Sequence, residues 1–387
     1  MTKAELDYIL ATMLDSHKDV SDLNFTVEKP PQIEAYGELN PVRIDPPIDR
    51  LTPFQTEMIA LELLSRNRRL TSDLIETGSC DCSFALGYRA RFRVNIFTQR
   101  GHYTIILRRL TTDIPTLGQL NMPPVFHEMT KEKTGLILVT GATGSGKSTT
   151  LAALLNELNE SRPIHIVTLE DPVEFVHQQK RATFNQREMG SDFSNFAAGL
   201  RAALRQAPKV ILVGEMRDRE TVEIGLAAAE TGHLVMSTLH TINAGQTIDR
   251  IVGMFDNEEQ HQIRIRLAET LRWIVSQRLL PRIGGGRVAA LEVMGNSLRV
   301  KDSIEHGEAE GKTFYEIIEA SATFGWKTFD TAVLELYENG LVTEETALLY
   351  CSNKGVVSRG IDRIKKIKGQ TATAGGLTLD LQYGKRK

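Results

Sequence analysis

Cysteine is scarce in this chain. Cys80, Cys82 and Cys351 are the only three among 387 residues, too few for a disulfide framework or a four-cysteine zinc site. A reducing, cytoplasmic compartment fits that usage. Long apolar runs are lacking too: Gly135–Thr140 and Val210–Val213 fall far short of the roughly 20 residues that span a bilayer, so they read as buried strands. The start, Met1-Thr-Lys-Ala-Glu-Leu-Asp, lacks the charged-then-apolar order of a signal peptide, and export is not expected. Neither sign of charge dominates, with 46 Lys and Arg against 49 Asp and Glu for a net −3. That balance disfavours a surface built to hold polyanions, although a local basic site stays open. Aromatic residues make up only 6%, which does not encourage stacking on nucleic acid. No repeat recurs at a period of roughly 20 to 50 residues.

The remaining composition, 41% hydrophobic and 25% charged, is that of a soluble chain with a buried core, and the length suggests two or three domains. In the first hundred or so residues an amphipathic helix over residues 4–14 precedes strand-like alternation at 23–27, 32–39 and 90–97, punctuated by Pro30-Pro31 and Pro46-Pro47. This predicts an α+β domain over residues 1–110. Residues 111–125, with Pro115, Gly118, Pro123 and Pro124, read as an ordered linker. Beyond it, short apolar strands alternate with helices: a strand at Gly135–Thr140, a helix from Lys147, a strand at 164–169, a helix from about Asp192, a strand at Val210–Val213 and a helix from Arg219. Such alternation predicts a parallel sheet with helices on both faces. Residues 273–280 and 288–294, joined by Arg282-Ile-Gly-Gly-Gly-Arg287, predict a hairpin at the sheet's edge. The chain beyond Asp330 has a helical pattern, and its Lys-, Gly- and Thr-rich end, from Lys365 and chiefly 369–387, reads as a loose tail.

The clearest chemistry lies between the first of these strands and its helix. Gly141-Ala142-Thr143-Gly144-Ser145-Gly146-Lys147-Ser148 matches G-x-x-x-x-G-K-[ST] in full, after an apolar strand and before the helical pattern opened by Thr149. Glycines at 141, 144 and 146 let the backbone turn tightly and aim its N–H groups at phosphate oxygens, and the helix adds its positive N-terminal dipole. Lys147 would neutralise the β- and γ-phosphates, and the Ser148 hydroxyl would ligate Mg²⁺. A hydrolytic site needs acidic groups at neighbouring strand ends. Lys209-Val-Ile-Leu-Val-Gly-Glu215 supplies one, as a second group for the metal, unless Glu215 simply opens a helix over 216–231. The strand before it ends in Glu170-Asp-Pro-Val-Glu174, where Glu170 or Glu174 is the candidate to polarise the lytic water.

His233 and His240 bracket the apolar run Leu234–Leu239, with Ser237, Thr238 and Thr241 around its end. Either histidine could be a satisfied core residue, but a strand ending at His240 beside a phosphate loop could sense the γ-phosphate. Arg89, Arg91, Arg93, Arg100, Arg108 and Arg109 crowd the end of the N-terminal region. Arg91 and Arg93 alternate and so share a strand face. A solvated edge and a nucleic-acid patch compete there with arginine fingers that complete a neighbouring subunit's site. Arg201 and Arg205, four apart on a helix with the stripe Phe193, Phe196, Ala197, Leu200 and Leu204, fit an ordinary solvated face equally well.

Taken together, the phosphate loop, Glu170-Asp-Pro-Val-Glu-Phe-Val-His177, Asn185-Gln-Arg-Glu188, Val213-Gly-Glu-Met-Arg-Asp218, Ala229-Glu-Thr-Gly-His-Leu-Val-Met-Ser-Thr-Leu-His240, Ala90-Arg-Phe-Arg-Val-Asn95 and Lys327-Thr-Phe-Asp330 resemble the secretion-ATPase superfamily, and within it the type IV pilus retraction ATPases of the PilT/PilU family. The resemblance covers nearly the whole chain. It implies an α/β fold, a RecA-like P-loop ATPase domain over residues 126–368 preceded by a smaller α+β PAS-like domain, and a homo-hexamer with ATP and Mg²⁺ held between subunits. By the same motifs, Lys147 and Ser148 correspond to Walker A, Glu215 to the Walker B glutamate, Glu170 to Glu174 to the Asp box, His233 to His240 to the His box, and Arg93 and Arg108 to the finger arginines, with Arg91 a looser match. The relatives that extend pili carry a longer N-terminus and a tetracysteine zinc element, and neither is expected here. Leu204-Arg-Gln-Ala-Pro208 is PilU-like, Val213-Gly-Glu-Met-Arg-Asp218 PilT-like; Lys209 stands where the family usually has Asp, and Leu298-Arg-Val-Lys-Asp-Ser-Ile-Glu305 is a diverged form of a family stretch.

The expectation is therefore a cytoplasmic Mg-ATPase motor, peripheral at the inner face of the cytoplasmic membrane, that acts on an inner-membrane platform protein to drive pilus disassembly and twitching motility. Two alternatives stand beside it: an accessory ATPase assisting a paralogous retraction motor, and a RecA-like nucleic-acid motor, although no nucleic-acid partner is expected.

Overall fold

A computed structural model describes residues 1–65, 67–110 and 113–369. It divides into two compact units, one formed by Met1–Val139, Lys147–Leu239 and Ile251–Arg272, the other by Thr140–Gly146, His240–Arg250 and the chain from Trp273 onward.

The first unit contains a six-stranded antiparallel sheet. Its strands are β1 (Val20–Phe25), β2 (Gln32–Ala35), β3 (Glu38–Pro41), β4 (Ser79–Leu86), β5 (Ala90–Gln99) and β6 (His102–Leu110), in the order β3-β2-β1-β6-β5-β4. Helices α1 (Lys3–Asp15), α2 (Pro53–Leu63) and α3 (Arg68–Thr77) accompany it. Helix α1 starts where Thr2 and Glu5 exchange the two hydrogen bonds of a capping box. Inward residues of β1, β5 and β6, among them Leu23, Phe25, Phe92, Val94, Ile96 and Ile105, are buried with Leu6 and Leu10 of α1. The run 32–39, expected as one strand, is a hairpin. Tyr36 and Gly37 both take positive φ, 54° and 83°, as a type I′ turn requires.

The same unit holds the expected parallel sheet: β7 (Gly135–Thr140), β8 (His165–Glu170), β9 (Thr183–Glu188), β10 (Val210–Val213) and β11 (Leu234–Leu239), ordered β7-β11-β10-β8-β9. Strands β8, β9, β10 and β11 run parallel. Every residue of β7, β10 and β11 is buried, which is why these strands read as uninterrupted apolar runs. Helices α4 (Val125–Met129), α5 (Lys147–Ser161), α6 (Phe196–Ala203) and α7 (Arg219–Glu230), with a further helix at Asn257–Thr270, alternate with the strands or follow them. The α/β class inferred from the sequence is the class found. Helix α6 starts at Phe196 rather than Asp192, because Asn195 caps it through Ala198 N. Its Arg201 pairs with Glu220 on a solvated face.

In the second unit, β12 (Leu271–Pro281) and β13 (Arg287–Gly295) pair antiparallel from Trp273 with Gly295 to Pro281 with Arg287, and Gly284, Gly285 and Gly286 make the turn at positive φ. Helix α8 (Ala244–Val252) and helices at Leu298–His306, Phe314–Ala320, Phe329–Glu338, Glu344–Tyr350 and Lys354–Ile367 complete it. The last of these corrects the expected onset of the loose tail at Lys365. Lys365 is buried and pairs with Glu344 at 2.6 Å, so order extends at least to Ile367. Residues 370–387 of that tail, and Thr111 and Thr112 of the linker, lie outside the described residues. Among the described residues no helix is long and apolar enough to cross a membrane.

Candidate active site

The phosphate-loop segment Gly141–Gly146 lies in the second unit. Gly141, Gly144 and Gly146 adopt φ of 142°, 77° and 89°, conformations open to glycine and strained for other residues. At Gly141 space is equally restrictive: a Cβ would sit 2.4 Å from the Gln277 carbonyl oxygen. Gln277, on β12, donates from Nε2 to the Ser145 carbonyl at 2.7 Å, and Thr140 donates to the Ser276 hydroxyl at 2.9 Å. The strand thus braces the loop from behind. Ala142, Thr143 and Gly144 stay exposed and form part of the wall of a cavity of about 280 Å³. Ser145 Oγ is buried with no hydrogen-bond partner among the described residues. His240 places Nδ1 3.5 Å from Thr143 Oγ1, so the expected sensor histidine stands at the loop.

The rest of the motif opens α5 in the first unit. Lys147 is buried, Ser148 is exposed and Thr149 half-buried. Burial lowers the pKa of Lys147, and the carboxylates of Glu215 and Glu174 oppose that shift by favouring its charged form. The structure therefore brings these three together. Glu215 follows β10 and pairs with Arg217 at 2.7 Å. It does not open a helix: α7 begins at Arg219, capped by Asp218 through Thr221 N. Ser237 and Thr238 of β11 each donate at 2.7 Å to the carbonyls of Val213 and Gly214, fixing the strand end that carries Glu215.

The two candidates in the acidic segment differ in their surroundings. Glu170 accepts from Thr168 Oγ1 at 2.6 Å and Gln186 Nε2 at 3.0 Å. Burial raises its pKa, and the Glu174 charge adds to that while Arg91 opposes it. Burial also raises that of Asp171, against the pull of Arg217 and Arg93. The Glu174 charge acts on Lys147.

His233 is placed elsewhere. It stands at the start of β11, its Nδ1 3.0 Å from the Ala228 carbonyl, and its own carbonyl accepts from Gly135 N at the start of β7. The six residues of β11 separate it from His240 by about 20 Å, so the two bracketing histidines do not meet. Arg93 and Arg108 face each other across β5 and β6. They are exposed, 3.8 Å from Asp81 and 2.9 Å from Asp22. Arg91 points with Arg93 yet is engaged by Glu188 at 2.6 Å. Sequence reasoning attached no role to Gln277, Gln186 or Glu188; the one available signal was the alternation of Gln186 and Glu188 on a polar strand.

A parallel sheet with a glycine cradle, a lysine at the following helix start and carboxylates at neighbouring strand ends defines a P-loop ATPase with a RecA-like core. The chain belongs to the type II/IV secretion system protein family, whose profile matches residues 80–321, and within it to the pilus retraction ATPases. It is 41% identical to the type IV pilus retraction ATPase PilT of Pseudomonas aeruginosa over 84% of this chain and 93% of that protein. To the type IV pilus ATPase PilU of the same organism it is 38% identical over 90% and 89%. The crystal structure of the pilus retraction motor PilT with bound ADP matches with a TM-score of 0.80 and 40% identity, covering 91% of this chain and 98% of that one. The chain is an ATP-hydrolysing enzyme.

Proposed function

We propose that this enzyme is a Mg²⁺-dependent motor that powers type IV pilus retraction. The observation that carries the catalytic half is the shared neighbourhood of Lys147, Glu215 and Glu174, in a chain that resembles PilT and PilU along most of its length. The residues suit the nucleotide: a Cβ would fill the Gly141 cradle, and the buried, unpartnered Ser145 Oγ is a polar atom with a use for a ligand oxygen. They suit Mg²⁺ as well, since Ser148 and Glu215 offer hard oxygen donors. Such an ion keeps most of its shell for phosphates and water. Ser148 and Glu215 would hold the ion, whose chemistry there would be to offset the charge of the phosphates.

The chain's own part follows from position. Backbone N–H groups of residues 141–149 cradle the phosphates, and Lys147 compensates their charge. Glu174 orients the attacking water. His240, at Thr143, registers the γ-phosphate at the loop. Arg93 and Arg108 serve the nucleotide of a second copy in a homo-hexamer. Residues 1–110 act as the PAS-like domain, joined by the linker 111–125 to the ATPase domain 126–368. The ring works in the cytoplasm, peripheral at the membrane, against an inner-membrane platform protein.

Lys147→Ala is expected to abolish ATP hydrolysis and retraction; an unimpaired rate of phosphate release would sink the site assignment. An accessory role beside a paralogous motor is the second reading, favoured by the 90% of the chain that aligns with PilU. A deletion strain carrying Glu215→Gln separates the two: loss of retraction marks the engine, retention the accessory.

A further inference from the structure

Arg91 lies on the same face of β5 as Arg93 but in a different environment. Its side chain is 21% exposed, and one guanidinium nitrogen lies 2.6 Å from Glu188 Oε2, itself on a side chain only 9% exposed. The same nitrogen donates to Ser83 Oγ at 3.1 Å. Glu188 Oε2 also accepts the backbone N–H of Val173 at 3.1 Å. Two residues earlier on β9, and so on the same face, Gln186 repeats the arrangement. Its Nε2 donates to Glu170 and to the Phe175 carbonyl at 2.7 Å, and its Oε1 accepts from His177 N at 2.8 Å. Two side chains of one strand therefore hold the acidic segment at Val173, Phe175 and His177, on both sides of Glu174.

We propose that Arg91 is a positioning residue acting within its own chain: through Glu188 and Val173 N–H it fixes the segment that presents Glu174 to Lys147. This rests on the role of Glu174 given above. A half-buried guanidinium and a carboxylate that also accepts a backbone amide form a charge-assisted bond with little water to replace it. Removing the cation leaves Glu188 buried and uncompensated, so Glu188 turns to water or takes a proton and Val173 N–H is released. Neither change touches the phosphate loop. The rate suffers while nucleotide affinity does not, because a water-orienting group displaced by even about 1 Å can cost on the order of a hundredfold.

The test is steady-state ATP hydrolysis by the full chain, comparing wild type with Glu174→Gln, Arg91→Ala, Arg91→Lys, Glu188→Gln and the double variant Arg91→Ala/Glu188→Gln. Arg91→Ala and Glu188→Gln are each expected to lower kcat by about tenfold or more, with KM for ATP within about twofold of wild type. The double variant should be little worse than either single one, since both break the same link. Arg91→Lys, which keeps the charge, should recover part of the rate. If Glu174→Gln hydrolyses ATP normally, the assignment of Glu174 fails. If Glu174→Gln is impaired but Arg91→Ala is not, or its effect multiplies with that of Glu188→Gln, the strut is overturned while the site stands. Should Arg91→Ala not fold, Arg91→Lys and Glu188→Gln decide by the same criterion: a rate equal to wild type in both overturns the proposal.

Discussion

His177 shows a residue whose type alone does not reveal its function. A histidine closing an acidic segment invites a catalytic role, yet its ring stacks on Phe184 at 4.2 Å and is buried. Burial, aided by the charge of Lys180, pushes its pKa down to about 4. Its function is packing. Since the unfolded chain binds a proton near the ordinary histidine value and the folded chain does not, stability is complete above about pH 6.5 and is lost as pH falls towards 4. Between pH 7 and pH 5 that loss is about 2 kcal/mol. His177→Phe keeps the stack and removes the titration, so its urea unfolding free energy should fall less over this interval. An identical fall in both proteins would show that the His177 ring is not what titrates. Lys147 was the opposite case, readable from spacing alone because glycine, lysine and hydroxyl must stand in that order to hold a phosphate.

At the scale of elements, strands buried on both faces announce themselves and strands that carry polar scaffolding do not. β7, β10 and β11 were legible as apolar runs. β9, Thr-Phe-Asn-Gln-Arg-Glu, was not, because Gln186 and Glu188 are spent on the acidic segment rather than on a core; they became visible only once the backbone they hold was in place. The helix expected from Arg219 begins there, because Asp218 caps it through Thr221 N, whereas the turn at Tyr36-Gly37 was hidden within continuous alternation. Asp330, the last residue of Lys327-Thr-Phe-Asp330, has an element-level function. It is 1% exposed and accepts from Ser352 N at 2.6 Å, Asn353 N at 3.0 Å and the Tyr315 hydroxyl at 2.8 Å. It thereby ties the helix Phe329–Glu338 to the start of the helix Lys354–Ile367. Asp330→Ala would leave those donors unsatisfied and should destabilise the second unit by roughly 3 kcal/mol, read as an earlier urea midpoint. Asp330→Asn should cost less, and equal midpoints for wild type and Asp330→Ala would remove the tie.

For the whole molecule the contrast between Arg91 and its neighbours matters most. Arg91 is committed to a nearly buried carboxylate, whereas the side chains of Arg93 and Arg108 are 52% and 71% exposed. Ion pairs as exposed as Arg93 with Asp81 are worth about 0 to 1 kcal/mol, so Arg93 can leave its local partner at little cost, whereas Arg108 is held at 2.9 Å by Asp22, whose side chain is only 7% exposed. A ring built from one repeated head-to-tail contact would give every subunit one donated arginine and one received. Arg93→Ala and Lys147→Ala, each without turnover alone, therefore offer a direct test when co-assembled in equal amounts. Where a chain with an intact Lys147 receives Arg93 from its neighbour the site is whole, and random assembly makes that true of about a quarter of the junctions. Recovery of ATPase activity towards that fraction is expected. A mixed assembly as inactive as either variant would place Arg93 outside the neighbouring site, and full activity of Arg93→Ala alone would leave it no part in turnover.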